Sequence, residues 1–364
     1  MRAGKWLTAS AFTALAAFGV RGEFANKIGK MVVGYGETRS TLVNYPVLVR
    51  ITADQAAACR ADGADLLFTS LDGKTSYPHE IDVWNREGES TVWVRIPEMK
   101  NGTIFVMHWG DPDYEGPAEK QAMGAVWSAA GYAGVWHMTE ESGTVTNVTA
   151  NGSMMDAVPV GARAQYSVRS TVAAPIGYAR DMGAEDVNHD VNGRALLKVA
   201  NYDSLALGDT FTLSGWFRIK EYHGNYDNTH RTRNARFFAR KNMWSDDKGY
   251  ILSLANDITK TNFRGGGNGN GHTPTIPSCK DNWVHLAWVF NGTTIRSYAN
   301  GKDLGSATIG RAEDNGLDLG MGSQANVNAN GEYANDSYLV GMMDEARLQD
   351  LQGDVNYGDW FAAE

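Results

Sequence analysis

The chain has 364 residues, of which 43% are hydrophobic, and its formal net charge is −9 at pH 7. This length is long for one domain and comfortable for two, and the hydrophobic content is sufficient for a buried core in each. The acidic balance disfavours a nucleic-acid partner, which requires a concentrated basic surface, so we expect none.

The first residues have the pattern of a secretory signal peptide. Arg2 and Lys5 precede an apolar run over residues 6–20. Because this run is shorter than the roughly 20 residues of a membrane-spanning helix, it predicts a cleaved signal over residues 1–22, with an uncleaved anchor as the alternative. We therefore expect a protein that is exported to the periplasm, cell surface or medium, with no membrane span in its mature chain.

Residues 23–113 predict a small β domain. Large apolar and small or polar side chains alternate in a series of segments, as in strands with one buried face: 30–34, 45–51, 66–70, 80–84, 91–96 and 103–109. Turn signals separate several of them, at Asp72-Gly73, Glu87-Gly88 and Asn101-Gly102. Thr52 is the predicted N-cap of a short alanine-rich helix over residues 52–60. Residues 114–125, which include Pro117, predict a linker.

Glu80-Ile81-Asp82 is the sharpest catalytic candidate. Alternate residues of a strand share a face, so Glu80, Asp82 and Trp84 are predicted to project together. Some jelly-roll glucanases have the pattern E-x-D-x-x-E, but Asn85 occupies the last position here. Retaining glycoside hydrolysis requires that second carboxylate. We therefore predict a polar strand and no catalytic residues.

The second half of the chain has the clearest strand pattern. Segments 211–219 and 283–290 alternate large apolar with small or polar side chains, and Asn291-Gly292 and Asn300-Gly301 predict hairpins with type I′ turns. Further strands are predicted at 133–138, 195–199, 236–240, 250–254, 294–299, 317–321 and 338–347. This is antiparallel β architecture with tight turns.

Four segments of this half resemble the concanavalin A-like, laminin-G-type jelly roll of bacterial surface proteins: FTLSGWFRI, GYILSL, NWVHLAWVFNGTTIRSYANGKDLG and YLVGMMDEARLQD. The preceding part resembles a bacterial domain of unknown function that often accompanies it, through YPVLVRI, ADGADLLFTSLDG, YPHEIDVWN, VWVRIP and IFVMHWGDPD. The predicted fold class is all-β, with a small N-terminal β domain and a concanavalin A-like jelly-roll β-sandwich over residues 126–364.

A calcium site is predicted in the acidic segment that contains Asp186, Asn188 and Asp190. These residues place oxygen ligands at every second position, as calcium loops do, although Val191 and Leu197 break the EF-hand pattern. The laminin-G-type resemblance implies a single Ca²⁺ at the rim of the sandwich, which Asp246-Asp247 are also placed to supply. The alternative is a solvated acidic loop, and no other cofactor is expected.

Two polar loops are the predicted ligand-binding elements. Residues 221–247 and the glycine-rich residues 265–271 are long connections, which carry function more often than the strands beneath them. Aromatic faces stack on sugar rings, and amides bind hydroxyls. The predicted ligand-binding residues are Tyr222, His223, Tyr226, Trp244, Asn268 and Asn270. The alternative is that Trp244 only fixes its loop to the core.

The remaining polar candidates have structural interpretations. Asp344 and Glu345 are adjacent on a strand and are predicted to point to opposite faces, and Glu345 is predicted to pair with Arg347. His137 and His285 are predicted to be half-buried framework residues. The strand tryptophans are predicted to lie in the cores: Trp84, Trp93, Trp109, Trp136, Trp216, Trp283 and Trp288.

Cys59 and Cys279 lie one in each predicted domain. Export permits a disulfide between them, and two unrelated buried thiols are the more common case.

Taken together, these features of the sequence predict a non-catalytic recognition or adhesion protein that binds a polysaccharide or glycoprotein. A glycoside hydrolase or lyase on the same fold, and a structural spacer of a surface protein, are the alternatives.

Overall fold

The computed structural model describes residues 27–33, 40–111, 113–114, 121–161, 164–183, 195–200, 202–205, 207–208, 210–220, 235–241, 247–255, 258–266, 271–309, 312, 315–325, 338–351, 353 and 355–364. The chain divides into two units, Met1–Gly131 with Asp354–Glu364, and Tyr132–Gly353. Strands dominate the described part of each unit, which confirms the all-β prediction. The division differs from the predicted limits at the junction and at the last residues, which belong to the first unit.

The first unit contains two antiparallel sheets. Its elements are β1 Lys27–Val32, β2 Leu42–Ile51, α1 Ala53–Ala57, β3 Leu67–Ser70, β4 Ser76–Tyr77, β5 His79–Val83, β6 Ser90–Met99 and β7 Ile104–Trp109. One sheet has the order β1-β7-β3-β4 and the other the order β2-β6-β5. The rings of Phe68 on β3 and His79 on β5 lie 5.1 Å apart between centroids, so the core of this unit lies between the sheets.

The sequence pattern that predicted β2 is visible in its burial. Val47, Val49 and Ile51 are buried, whereas the residues between them are partly exposed. Thr52 then caps α1. Its backbone N–H donates to Gln55 Oε1 at 2.8 Å, and the Gln55 N–H donates to Thr52 Oγ1 at 3.4 Å. This reciprocal capping box confirms Thr52 as the N-cap.

A second helix, α2 Tyr357–Ala363, completes the first unit and was not predicted. Asn356 is its N-cap, and its side-chain oxygen accepts from two backbone N–H groups of the first turn. An asparagine cap followed by Asp359 in the first turn is a recognisable helix start. The signal was therefore present in the sequence.

Helix α2 packs on β2 and on Ser40, which lies just before β2 in the chain. The Trp360 ring meets Tyr45 edge-on, with centroids 4.7 Å apart. The backbone N–H of Ser40 donates to Asp359 Oδ2 at 2.8 Å. Trp360 and Phe361 are buried, so the helix contributes directly to the apolar core of the first unit.

The second unit contains a larger pair of antiparallel sheets. Its strands are β8 Tyr132–Trp136, β9 Ala157–Val160, β10 Val168–Arg169, β11 Arg180–Asp181, β12 Leu196–Val199, β13 Thr210–Ile219, β14 Arg236–Ala239, β15 Ile251–Leu254, β16 Thr261–Arg264, β17 Val284–Asn291, β18 Thr294–Ala299, β19 Lys302–Thr308, β20 Leu319–Met321 and β21 Gly341–Asp350. One sheet has the order β10-β11-β21-β13-β17-β18-β19, and β8 also pairs with β21. The other has the order β16-β15-β14-β20-β12-β9. Short 3₁₀ helices occur at Gly152–Met155, Ala164–Tyr166 and Tyr202–Leu205 in this unit and at Ser128–Ala130 in the first unit.

Both predicted hairpins form, but their turns differ. In the first, Asn291 pairs with Thr294, so the turn residues are Gly292 and Thr293. Of these two only Gly292 has a positive φ, 66°, which is the type II′ pattern and corrects the predicted type I′. In the second, Asn300-Gly301 has φ values of 47° and 74°, as a type I′ turn requires.

Aromatic rings fill the space between the two sheets of the second unit. Phe211 and Phe290 stack with centroids 4.4 Å apart, and Phe217 meets Phe237 at the same distance.

Most of the strand tryptophans of the two units are buried as predicted: Trp93, Trp109, Trp136, Trp216 and Trp288. Trp84 and Trp283 are partly exposed, and each donates its indole N–H to a backbone carbonyl.

Cys59 and Cys279 are free thiols that are buried in different units, so no disulfide joins them. Burial raises the pKa of Cys279 to about 12, because the thiolate is disfavoured away from water. Within the described residues, no helix is long and apolar enough to span a membrane.

Candidate functional site

All of the predicted site residues lie outside the described part of the chain. These are the calcium ligands Asp186, Asn188 and Asp190, and the ligand-binding residues Tyr222, His223, Tyr226, Trp244, Asn268 and Asn270. The structure does describe the residues that flank each segment. Their positions show from which part of the second unit each segment departs.

Two of these segments depart from the same end of the second unit. The acidic segment follows Gly183, and the segment with Tyr222, His223 and Tyr226 follows Lys220. The backbone N–H of Met182 donates to Gly341 O, and the N–H of Lys220 donates to Val340 O, both at 2.8 Å. We call this part of the molecule the Lys220 end, defined by Gly183, Ala195, Lys220, Ala235, Ala325 and Tyr338.

Side chains reinforce the Lys220 end. The Lys220 ammonium forms an ion pair with Asp181, and both side chains are largely shielded from water. On the other sheet, Arg236 donates to the amide oxygen of Gln324. The Asp181–Lys220 pair joins the base of the predicted calcium segment to the base of the predicted aromatic segment. Such a pair fixes the bases of the two segments relative to each other.

The segments that contain Trp244, Asn268 and Asn270 depart from a different end of the second unit. Residues 221–234 precede β14, whereas the segment with Trp244 follows it, so the two depart from opposite ends of that strand. Lys241 is fully buried, and its Nζ donates to Gly265 O at 2.6 Å. This contact places the base of the Trp244 segment beside the base of the segment with Asn268 and Asn270.

The catalytic candidate in the first unit is occupied by structural contacts. The Trp127 indole N–H donates to Glu80 Oε2 at 2.7 Å, and the Thr91 hydroxyl donates to Asp82 Oδ2 at 2.9 Å. The register of β5 against β6 shifts at Asp82, which interrupts the simple alternation assumed for Glu80, Asp82 and Trp84. The Trp84 indole N–H donates to Ala61 O at 2.9 Å.

A β-bulge in β21 re-aims a buried carboxylate. The pairing of β21 with β13 shifts between Ser214 and Trp216, so Glu345 and Ala346 together lie opposite Gly215. Glu345 has a φ of 51°, in the left-handed region that usually favours glycine. The prediction that adjacent residues here point to opposite faces therefore does not apply across the bulge.

Glu345 is the centre of a buried charged cluster in the second unit. His137 Nδ1 lies 2.6 Å from its Oε1, and Arg347 Nη2 donates to its Oε2 at 2.8 Å. The predicted Glu345–Arg347 pair is thus confirmed. Burial acts to raise the pKa of Glu345, but the interactions with His137 and Arg347 outweigh it and the pKa is lowered. The cluster holds an ionised carboxylate inside the fold.

An arginine pair near the Lys220 end was missed from sequence. Arg169 on β10 lies directly opposite Arg180 on β11. Arg180 is fully buried, and its Nη1 donates to Ser167 O at 2.9 Å. Burial lowers the pKa of Arg180, Glu140 acts to raise it and Arg169 acts to lower it further. Strands of two residues have no measurable periodicity, so the sequence offered no signal for this pair.

A protein-family model described as the concanavalin A-like lectin/glucanases superfamily matches residues 192–351, which lie within the second unit. Together with the two antiparallel sheets, this match supports the concanavalin A-like assignment of that unit. No curated protein matches the chain.

Several solved structures resemble the chain at low identity. Domain 4 of AbnA, a GH43 extracellular arabinanase from Geobacillus stearothermophilus, in complex with arabinotriose, is 17% identical, with a TM-score of 0.41; the match covers 64% of this chain and 98% of that domain. The botulinum neurotoxin serotype C1 binding domain is 10% identical, with a TM-score of 0.41 and coverage of 62% and 50%. The botulinum neurotoxin type G receptor binding domain is 12% identical, with a TM-score of 0.41 and coverage of 63% and 50%. The chain thus spans about half the length of the two neurotoxin domains.

Proposed function

We propose that this chain is an exported, non-catalytic recognition protein that binds a polysaccharide or glycoprotein through the loops at the Lys220 end. The observation that carries the proposal is the Asp181–Lys220 ion pair. It joins the bases of the two segments that contain the predicted calcium ligands and the predicted aromatic residues. A fixed loop base reduces the entropy lost when a ligand orders the loop, which favours binding.

The composition of the two segments suits a sugar ligand. Tyr222 and Tyr226 offer aromatic faces for the C–H face of a pyranose ring. Asp186, Asn188 and Asp190 offer carboxylate and amide oxygens, which are the ligands that Ca²⁺ prefers. We propose that these oxygens hold a Ca²⁺ ion. The support for this is the shared base of the segments and the spacing of the oxygen ligands.

The contacts of the acidic candidates support a non-catalytic role. Glu80 and Asp82 each accept a structural hydrogen bond, and Glu345 is neutralised by buried partners. A retaining or inverting hydrolase instead requires two carboxyl groups that converge on one substrate. Export is proposed on the signal-like pattern of residues 1–22, which lie outside the described residues.

A glycan-array screen of the chain from residue 23 onward tests this proposal, with Ca²⁺ and again with a chelator. We expect retention on a defined glycan that falls in the chelator. If the chelator leaves retention unchanged, glycan binding is supported and the calcium site is rejected. Release of shortened sugars from the retained glycan would replace the proposal with an enzyme. An empty array with a folded protein would reject glycan recognition in favour of a protein partner or a structural spacer.

A further inference from the structure

The arginine pair of β10 and β11 points to the chemical class of the glycan. Like charges directly opposite one another on neighbouring strands repel, so such a pair needs compensation. Arg169 and Arg180 hydrogen-bond mainly to neutral acceptors, the backbone carbonyls of Thr139 and Ser167. Among the described residues, the carboxylates paired with them are Glu141, at 3.9 Å from Arg169, and Glu140, at 3.7 Å from Arg180, and neither distance is a hydrogen bond. The pair is therefore compensated only loosely.

The Arg169 guanidinium is held in place before any ligand arrives. Its Nε donates to Thr139 O at 2.8 Å, and its Cζ lies 4.1 Å over the centre of the Tyr178 ring. A guanidinium has five N–H donors in a rigid planar fork, so Nη1 keeps donors that these contacts do not use. The side chain is 31% exposed, whereas Arg180 is fully buried and adds only its positive field.

An aromatic ring lies beside this guanidinium. Tyr178 is partly exposed, and the Arg169 guanidinium stacks over its ring. Val168 pairs with Asp181, which forms the ion pair with Lys220, so this edge adjoins the Lys220 end. A partly exposed arginine stacked on a partly exposed tyrosine suits a sugar that carries an anionic group.

We propose that Arg169, stacked on Tyr178, forms a subsite for the oxyanion of an acidic glycan, either the carboxylate of a uronic acid or a sulfate group. This inference rests on the proposed glycan recognition and specifies its ligand. The oxyanion accepts end-on hydrogen bonds from the outer donors of Arg169. It displaces Glu141, whose side chain is 87% exposed and loses little when it moves into water.

The first test compares ligands that differ in charge alone. The full chain is titrated calorimetrically with a short oligouronate, with the same oligouronate after methyl esterification of its carboxyls, and with a neutral oligoglucan and its sulfated form. We expect the charged sugars to bind at least about tenfold more tightly than their uncharged counterparts, because an arginine–oxyanion pair contributes more than a neutral contact. The uronate and sulfate arms show which oxyanion is preferred. Equal affinity for the oligouronate and its ester would overturn the subsite.

Two substitutions localise the effect. Arg169→Gln removes the charge and is expected to weaken oligouronate binding about tenfold or more. Glu141→Gln removes the competing carboxylate at an exposed position, so we expect about two- to fivefold tighter binding of the charged sugar and no change for the ester. If Arg169→Gln fails to fold, Glu141→Gln still decides, since unchanged or weaker binding of the oligouronate contradicts the subsite.

The outcome also separates this inference from the proposed function. If neutral and charged glycans bind with equal affinity and Glu141→Gln has no effect, the Arg169 subsite is rejected. The proposed glycan recognition is then still supported. No binding of any glycan, here or on the array, would reject the proposed function itself.

Discussion

His79 is a titratable side chain inside the apolar core of the first unit. It is 3% exposed and its ring packs edge-on against Phe68. Burial lowers its pKa from 6.5 to about 4, because an imidazolium ion is poorly solvated among apolar side chains. The folded state therefore keeps His79 neutral at a pH where the unfolded chain binds a proton.

This difference makes the stability of the first unit depend on pH. The contribution of neutral His79 is fully present above pH 6.5 and is lost as the pH falls toward 4, by roughly 3 kcal/mol in total. We expect His79→Phe to lack this loss, since phenylalanine does not titrate. Urea unfolding of both proteins at pH 7 and pH 4.5 measures it. An equal loss of stability in the two proteins would show that His79 is not its source.

The buried carboxylate of Glu345 makes a second prediction at this scale. Glu345→Gln removes the negative charge between His137 and Arg347 and leaves the buried Arg347 guanidinium without its anionic partner. We expect a loss of about 3–5 kcal/mol in the free energy of unfolding. Glu141→Gln is the matched control, because Glu141 is exposed and should change stability by less than about 0.5 kcal/mol. Similar small losses in both variants would contradict an ionised, structural role for Glu345.

At the scale of elements, the sequence predicted strands well because burial on one face produces a period of two. Strand β2 and the hairpin of β17 and β18 are direct examples. Bulges are different, since the extra residue in β21 has no composition signal and Glu345 occupies a position that usually favours glycine. Turn type depends on pairing register, and a shift of one residue makes Gly292-Thr293 the turn instead of Asn291-Gly292.

Helix α2 makes a testable contribution to the first unit. Trp360 is 1% exposed and packs against Tyr45, so Trp360→Ala leaves a large cavity. We expect a loss of about 3–5 kcal/mol in the stability of the first unit. Chemical unfolding followed by tryptophan fluorescence measures the change. Ala57→Ser, a change at an exposed position of α1, serves as the control, and a Trp360 variant as stable as this control would mean that α2 does not complete the core.

At the scale of the whole chain, the second unit is inserted between two parts of the first. Tyr132 on β8 pairs with Gln349 on β21, so the two ends of the second unit lie on adjacent strands. Units with neighbouring ends tolerate insertion and excision. The sequence predicted two consecutive domains. The packing of α2 against β2 brings together residues that are far apart in the chain, and local sequence patterns do not encode such contacts.

This organisation predicts different behaviour for two fragments. Residues 132–353 contain both sheets of the second unit and are expected to unfold cooperatively when produced alone. Residues 23–131 lack α2 and are expected to show a weaker, less cooperative transition, which residues 354–364 added in trans should strengthen. Thermal unfolding followed by circular dichroism measures both. A residues 23–131 fragment that folds fully without α2 would contradict the role given to that helix.

The fold was largely predictable from the sequence, whereas the predicted site residues lie outside the described part of the chain and stay a prediction. The predicted ligand residues lie in long polar segments, where neither periodicity nor turn chemistry determines position. Their flanking residues divide them between two ends of β14, which separates Tyr222, His223 and Tyr226 from Trp244. The Arg169–Arg180 pair arises from two short strands that meet only in the folded chain.

Glycan recognition at the Lys220 end is tested most directly by glycan-array retention in Ca²⁺. Three proteins are compared: the unaltered chain, the double variant Tyr222→Ala/Tyr226→Ala, and Trp244→Ala. We predict that the double variant loses retention while Trp244→Ala keeps it, because the Trp244 segment departs from the opposite end of β14. Loss of retention in Trp244→Ala alone, with the double variant unaffected, would contradict the account and place recognition at the other end.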